Sequence, residues 1–284
     1  MKSKPTVAFL IPFASRSAKK NWEVACAHLR QTLASIRNSA DGNFCVVVAG
    51  NEKPNFSVEM DERFRFVSLT QSAPVSPLIH VNSVLDKLAK INLAWEYAKA
   101  DYNPRYVMKL DADDLISSQL VDWLTRKGDA AGYLISHGWY WNDGARFFIE
   151  RSETFDRICG SCLLIRSDLV ECTGPFRTQT EGVLLSQENE RFAKSDHYSL
   201  VPGSEFSTLL ANDSHQRYAA QFCYLGHKLP VLPFPAVVYR MANVDSMSWH
   251  KKNAPISLRY RLGSLRRHRL ITPNIRQEFC LPDK

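Results

Sequence analysis

The sequence of 284 residues lacks the signatures of several common protein classes. No apolar run reaches the roughly 18 residues needed to span a bilayer, so no transmembrane helix is expected. The basic start is followed by an apolar run, Val7–Ile11, that is too short for a signal peptide. No Gly-x-Gly-x-x-Gly motif follows this run and no Gly-Lys-Ser/Thr loop occurs anywhere, which disfavours a classical dinucleotide site or a P-loop. The seven cysteines are odd in number and scattered, which predicts reduced thiols in a cytoplasmic protein.

The charged residues are distributed unevenly. Residues 1–250 carry 27 basic and 27 acidic side chains, so the formal net charge of +7 arises entirely in residues 251–284. Nucleic-acid binding usually needs a basic face on the folded body, and no nucleic-acid partner is therefore predicted. A composition of 45% hydrophobic and 23% charged residues is typical of a globular chain and excludes disorder.

Apolar periodicity predicts an α/β sheet over residues 1–128. Short continuous apolar runs predict strands buried on both faces, and apolar residues spaced by three or four predict the helices between them. The predicted strands are 7–11, 44–49, 64–69 and 106–110. Residues 129–250 have a mixed pattern, with strands at 133–137, 146–149, 162–165 and 232–239 and a helix at 213–225. The prolines of the segment 232–239 predict a strand at a sheet edge.

Three carboxylates, Asp111, Asp113 and Asp114, directly follow the predicted strand 106–110. Open α/β sheets bind ligands at the carboxyl ends of their strands. Mg²⁺ and Mn²⁺ prefer one or two carboxylates together with phosphate oxygens and water. Aspartate is also common in turns, but the strand-end position favours a metal–phosphate site. With few glycines to cradle phosphate, a bound diphosphate would need such an ion.

Four segments occur in an order typical of one enzyme family. They are Val-Ala-Phe-Leu-Ile-Pro (7–12), Phe-Cys-Val-Val-Val-Ala-Gly-Asn-Glu (44–52), Lys-Leu-Asp-Ala-Asp-Asp-Leu-Ile (109–116), and Asn212-Asp213 before a helix ending in Leu-Gly-His-Lys (225–228). Over roughly residues 5–245 the chain resembles the family 2-type glycosyltransferases of the GT-A fold, in which the third segment is the Asp-x-Asp motif. Two segments depart from the family pattern. Gly50-Asn51-Glu52 replaces the usual acids that contact the base, and Asn212-Asp213 replaces a Glu-Asp pair.

The resemblance implies a GT-A, Rossmann-like mixed sheet with flanking helices. Residues 1–128 would form the half that binds the nucleotide-sugar, 129–250 the half that binds the acceptor, and 251–284 a basic helical extension. The implied reaction is metal-dependent, inverting transfer of a sugar from a nucleoside diphosphate-sugar to a hydroxyl of a saccharide or lipid-linked acceptor, in polysaccharide or glycolipid synthesis.

The resemblance also implies roles for individual residues. Asp213 would be the general base, and Asp113, Asp111 and His250 would hold Mn²⁺ or Mg²⁺. The residues implied to bind the donor are Pro12, Phe13, Glu52, Lys87, Lys90, Asp111, Ala112, Gly160 and Ser161.

Several of these residues also allow a purely structural interpretation. Asp213 could cap a helix, Lys87 and Lys90 could be solvated helix charges, and His250 could be a surface residue. Cys159-Gly160-Ser161-Cys162 could be a redox or zinc pair, but the apolar run that follows favours entry into a buried strand. The aromatic residues 139–141 could stack on a sugar or pack in the core.

Residues 258–271 interleave leucines with arginines, and Leu258, Leu262 and Leu265 share one face of a helix. This pattern predicts a basic amphipathic helix that could lie on an anionic membrane, which would place the protein peripherally at the inner face of a membrane. The same helix could instead pack on the rest of the protein or hold an anionic acceptor.

Two other functions are compatible with parts of the sequence. A sugar-phosphate nucleotidyltransferase would share the sheet and the metal carboxylates, but Phe13-Ala14-Ser15-Arg16 stands in place of its Gly-rich first loop. A non-enzymatic protein that binds polyanions or membranes would depend on residues 251–284 alone.

Overall fold

The computed structural model describes residues 4–70, 79–171, 222, 226–241 and 266–282. It has the mixed α/β sheet with flanking helices that the resemblance to the GT-A fold predicts. Asp213 and His250 lie outside the described residues, as do most of the predicted helix 213–225 and the first part of the predicted helix 258–271.

The first sheet has six strands in the order β3-β2-β1-β4-β9-β6. Strands β1 to β4 are parallel neighbours, whereas β9 is antiparallel to both β4 and β6. The bounds of these strands are β1 Val7–Pro12, β2 Phe44–Gly50, β3 Phe64–Ser68, β4 Tyr106–Lys109, β6 Gly132–Leu134 and β9 Leu163–Arg166.

The helices α1 (Trp22–Arg37) and α2 (Ile79–Asp101) connect the parallel strands, and α3 (Leu120–Lys127) follows β4. Residues of β1 alternate between two buried clusters: Val7, Phe9 and Ile11 pack with α1, and the residues between them pack with α2. Because both faces are covered, β1 and β2 are apolar at every position, which is why their sequences predicted them well.

The second sheet has five strands in the order β11-β8-β7-β10-β5. Their bounds are β5 Leu115–Ile116, β7 Gly138–Asn142, β8 Phe147–Arg151, β10 Val237–Met241 and β11 His268–Leu270. The prediction of an edge strand at 232–239 was wrong, since β10 lies between β7 and β5. Its prolines do not interrupt the ladder because Pro233 and Pro235 both precede the first paired residue.

The described part of the predicted helix 258–271 is extended instead of helical. His268–Leu270 pairs antiparallel with β8, so this part of the prediction was wrong. A short helix follows, α4 (Pro273–Glu278), with Thr272 as its N-cap and Pro273 in its first turn. Phe279 and Leu281 then pack beneath the second sheet, in a cluster with Trp141. Residues 266–282 are thus part of the folded body.

Within the described residues, no helix is both long enough and apolar enough to cross a membrane.

Candidate active site

The acidic loop, residues 111–114, follows β4 at the carboxyl end of the first sheet. Leu110 still pairs with β1, its backbone N–H donating to the Leu10 carbonyl at 2.9 Å, and the N–H of Asp114 then donates to the Asp111 carbonyl at 3.1 Å. The chain therefore leaves the sheet through a tight turn. The loops after β1, β2 and β4 all begin at this edge because the three strands are parallel.

Asp111 is the residue around which the predicted donor-binding residues gather. Its Oδ1 lies 2.6 Å from the Lys87 ammonium on α2, and its backbone N–H donates to Ser161 Oγ at 2.9 Å. A Cβ placed on Gly160 would lie 3.1 Å from Asp111 Oδ2, so the glycine permits this close approach. Four residues from three separate segments thus meet at the acidic loop.

Asp114 has a different environment from Asp111 and Asp113. Its side chain is fully buried, and its Oδ2 accepts hydrogen bonds from Ser161 Oγ at 2.6 Å and from Cys159 Sγ at 3.3 Å. Its Oδ1 has no hydrogen-bond partner among the residues that the structure describes. Burial, followed by the charges of Asp113 and Asp111, raises the pKa of this carboxyl well above its ordinary value. Asp114 is therefore a buried acid that holds Ser161, a difference from Asp111 and Asp113 that could not be predicted from the sequence.

Side chains of α1 and β10 donate hydrogen bonds to two backbone carbonyls of the acidic loop. Thr32 on α1 donates its hydroxyl to the Ala112 carbonyl at 3.0 Å, and Arg240 on β10 donates Nε to the Asp113 carbonyl at 3.2 Å. Arg240 also donates to Asp143 Oδ1 at 2.6 Å. Sequence analysis did not single out Thr32, Arg240 or Asp143, since each is remote in the chain from the loop.

The predicted residues after β1 are buried. Pro12 is the last residue of that strand, and Phe13 is 1% exposed, with its ring 5.0 Å from that of Trp22. Both residues lie at the bottom of the candidate site, and the Phe13 ring packs in the hydrophobic core.

After β2, the carboxylate of Glu52 accepts a hydrogen bond from the Arg16 backbone N–H at 3.1 Å. Its neighbour Asn51 donates to the Leu69 carbonyl at 3.4 Å, while the Asn51 Oδ1 is buried and has no partner within the described part of the chain. An acceptor atom is thus left open at the end of β2.

The two lysines predicted at the donor site differ. Lys87 reaches the acidic loop, whereas Lys90 is fully buried and its ammonium lies 2.6 Å from Asp86, one turn earlier on α2. Lys90 therefore neutralises a carboxylate of its own helix.

Cys159 and Cys162 are free, fully buried thiols, as are the other described cysteines except Cys280, which is partly exposed. Burial is the main reason why the pKa of both thiols is raised. Tyr140 and Trp141 are buried as well, and of the three aromatic residues of β7 only Trp139 is partly exposed. These positions agree with core packing.

Among the described residues, no group of three or more His, Cys, Asp or Glu side chains is arranged to hold a metal ion. The acidic loop can offer at most the two partly exposed carboxylates, Asp111 and Asp113, and Lys87 already contacts the first. This donor set fits an ion that takes one or two carboxylates and completes its shell with phosphate oxygens and water.

No protein-family model matches the sequence, and no curated protein matches it either. Two of the solved structures to which the fold is similar illustrate the likeness. One is S. aureus TarS 1-349, at 11% identity and a TM-score of 0.44, covering 83% of this chain and 60% of that chain. The other is the apo form of the glycosyltransferase GlyE of Streptococcus pneumoniae TIGR4, at 8% identity and a TM-score of 0.35, covering 85% and 55%. The chain thus spans less than two thirds of either, and its function has to be argued from the site.

Proposed function

We propose that this protein is a glycosyltransferase that moves a sugar from a nucleoside diphosphate-sugar to an acceptor hydroxyl. The observation that carries the proposal is the meeting of Lys87, Asp111, Gly160 and Ser161 at the carboxyl end of parallel strands. An ammonium, two partly exposed carboxylates and a glycine that allows close approach suit a diphosphate bound with a divalent ion.

In this proposal Asp113 holds Mn²⁺ or Mg²⁺ together with Asp111, and His250 is a further candidate ligand. When bound, the ion supplies positive charge that offsets the charge developing on the leaving diphosphate. Lys87 adds a second positive charge at the same place. Glu52 and Asn51, at the end of β2, would contact the base.

Asp213 is proposed as the general base. It would accept the proton of the acceptor hydroxyl as the oxygen attacks the anomeric carbon in line, which gives inversion. This role depends on the resemblance of residues 212–228 to the family segment.

A thermal-shift screen of nucleoside diphosphates, with and without Mn²⁺, tests the proposal. A ligand at 100 times its Kd stabilises the native state by about 2.7 kcal/mol, so the correct nucleotide should raise the melting temperature measurably. Asp113→Ala should abolish the Mn²⁺-dependent part of the shift. The matched control is Asp122→Ala, which removes a carboxylate on α3 that pairs with Arg126. The proposal fails if no nucleoside diphosphate stabilises the wild-type protein, or if Asp113→Ala responds as the wild type does.

We also propose that the protein associates with anionic membranes through the β11 edge of the second sheet. Phe147 and Leu270 are paired across β8 and β11 and are 46% and 57% exposed. Arg146, next to Phe147 in the chain, and Arg266 and Arg267, which directly precede β11, are also exposed. Arg269 lies 2.8 Å from Glu150 and is partly neutralised. Each arginine near an anionic surface contributes about 1 kcal/mol.

Vesicle sedimentation tests this second proposal. The protein should bind phosphatidylserine vesicles at low salt, and neither those vesicles at high salt nor phosphatidylcholine vesicles. A double variant, Arg266→Gln with Arg267→Gln, should weaken binding, whereas Arg126→Gln on α3 should not. Equal binding by both variants would show that this edge is not the contact.

A further inference from the structure

A buried arginine reaches the acidic loop from the second sheet. Arg240 is 2% exposed, and its guanidinium uses all three of its nitrogens. Nε donates to the Asp113 carbonyl at 3.2 Å, Nη1 to Asp143 Oδ1 at 2.6 Å, and Nη2 to Gln31 Oε1. The guanidinium carbon also lies 5.2 Å from the centre of the Trp141 ring. The Arg240 side chain therefore links the acidic loop, through hydrogen bonds, to α1 and to the turn after β7.

Helix α1 provides the other half of this arrangement. His28, Gln31 and Thr32 are spaced by three and four and so share one face of the helix. Thr32 donates to the Ala112 carbonyl at 3.0 Å, and His28 Nε2 lies 3.1 Å from Asp143 Oδ2. Asp143 thus contacts both the arginine and the histidine. Two consecutive carbonyls of the acidic loop are held by side chains from α1 and β10.

Stability alone does not account for this arginine. Burying a charged side chain such as that of Arg240 is costly, and an ion pair formed by one is often no more stabilising than apolar side chains of similar volume. The planar guanidinium instead provides orientation, since its donors point in fixed directions. The donor that faces the acidic loop, Nε, binds a backbone carbonyl of that loop and so acts on the course of its main chain.

We propose that Arg240 is a positioning residue that holds the acidic loop in the arrangement in which Asp111 and Asp113 receive the diphosphate and its ion. This inference rests on the proposed function. Removing a residue that orients metal ligands typically weakens metal affinity or activity by about 10- to 100-fold. Arg240→Gln should therefore weaken Mn²⁺-dependent nucleotide binding by this factor, and Arg240→Lys, which keeps the charge and one donor, by less.

Arg63 offers a matched control. It also pairs with an aspartate, Asp61, at 2.8 Å, donates to a backbone carbonyl, that of Gly42, at 3.4 Å, and lies over a ring, that of Phe44, at 4.4 Å. None of these contacts involves the acidic loop. Arg63→Gln should lower the melting temperature without changing nucleotide affinity.

The experiment measures two quantities for the wild type and each variant. Calorimetry gives the affinity for the nucleoside diphosphate found in the screen, with and without Mn²⁺, and hydrogen exchange gives the protection of amides 110–117 in the ligand-free protein. Arg240→Gln should lower both the nucleotide affinity and the protection of amides 110–117, whereas Arg63→Gln should lower neither. If Arg240→Gln does not fold, Asp143→Ala replaces it, because the Asp143 side chain is 49% exposed and its removal releases one anchor of the guanidinium.

The outcomes separate the two proposals. A wild-type protein that binds no nucleotide refutes the glycosyltransferase proposal, and the hydrogen exchange of residues 110–117 then decides whether Arg240 positions the loop. If the wild type binds nucleotide, and the Arg240 variants or Asp143→Ala show unchanged affinity and unchanged exchange, the inference alone is overturned.

Discussion

The buried carboxyl of Asp114 makes the stability of this protein depend on pH in a direction opposite to that of a typical aspartate. Its pKa is raised in the folded state, first by burial and then by Asp113 and Asp111. In the unfolded chain an aspartate has a pKa of about 3.9. Below that value the carboxyl is protonated in both states. As the pH rises further, the unfolded state loses the proton first, so the free energy of unfolding falls until the pH passes the folded pKa.

The size of the effect follows from proton linkage. While the folded state holds one proton more than the unfolded state, the free energy of unfolding falls by about 1.4 kcal/mol per pH unit. Asp114→Asn removes this titration with little change in shape. Its amide N–H₂ would face the place where Oδ1 has no partner, which costs about 1–3 kcal/mol at every pH. The expected signature is therefore the slope: above the unfolded pKa, and as long as the folded carboxyl keeps its proton, the variant should gain up to about 1.4 kcal/mol per pH unit relative to the wild type.

Urea unfolding of both proteins at pH 5, 6, 7 and 8, in the presence of EDTA, measures this difference. EDTA is needed because a divalent ion at the acidic loop would lower the pKa of Asp114. The control is Asp168→Asn, since a hydrogen bond from Arg166 lowers the pKa of Asp168. Both its folded and unfolded values then lie below pH 5, so its effect should not vary across the series. A difference between Asp114→Asn and wild type that is equally constant would refute the assignment of a raised pKa.

Three further predictions concern the site and the C-terminal segment. Lys87→Met should raise the affinity of the nucleotide-free protein for Mn²⁺ by up to about fivefold, as measured by the EPR signal of free Mn²⁺. The reason is that the substitution removes a partly exposed ion pair with Asp111, which contributes about 0–1 kcal/mol. A lower affinity would contradict this prediction. Gly160→Ala should weaken nucleotide binding several-fold at a nearly unchanged melting temperature. Gly144 is the control, because its φ is +75° and no described atom lies within 4 Å of an added Cβ. Gly144→Ala should therefore lower the free energy of unfolding by about 1 kcal/mol and leave nucleotide binding unchanged. Phe279→Ala should reduce the free energy of unfolding by about 3–5 kcal/mol in urea titrations, since Phe279 is 1% exposed, and a loss below 1 kcal/mol would show that the segment is dispensable.

The sequence predicted the elements whose environment is uniform along their length. Strands β1, β2 and β4 are buried on both faces, so a continuous apolar run identified each of them. The sequence did not predict β5, which has only two residues, Leu115 and Ile116. This strand forms by pairing with β10, more than a hundred residues later in the chain, so no local pattern indicates it. Strand β11 was mistaken for a helix because three residues at a sheet edge leave too short a pattern to outweigh the leucine spacing before them.

The candidate site was predictable to the extent that it follows strand ends. Asp111 could be located from the sequence because it comes directly after a buried strand, and Gly160 and Ser161 entered through the family resemblance. The Arg240 contact could not be predicted, because 127 residues separate the arginine from Asp113. A single arginine within a strand looks like a solvated residue until the strand is known to be internal.

The packing of residues 266–282 decides how the membrane proposal can be tested. A truncation after Lys252 would remove this whole segment. In the structure it completes an edge of the second sheet and places Phe279 in the core, so a truncated chain would lose stability and membrane contact together. Charge substitution avoids this ambiguity, because Arg266 and Arg267 are exposed. Exposed positions usually change stability by less than about 0.5 kcal/mol, so a loss of vesicle binding in that variant, at an unchanged melting temperature, would report on the surface charge itself.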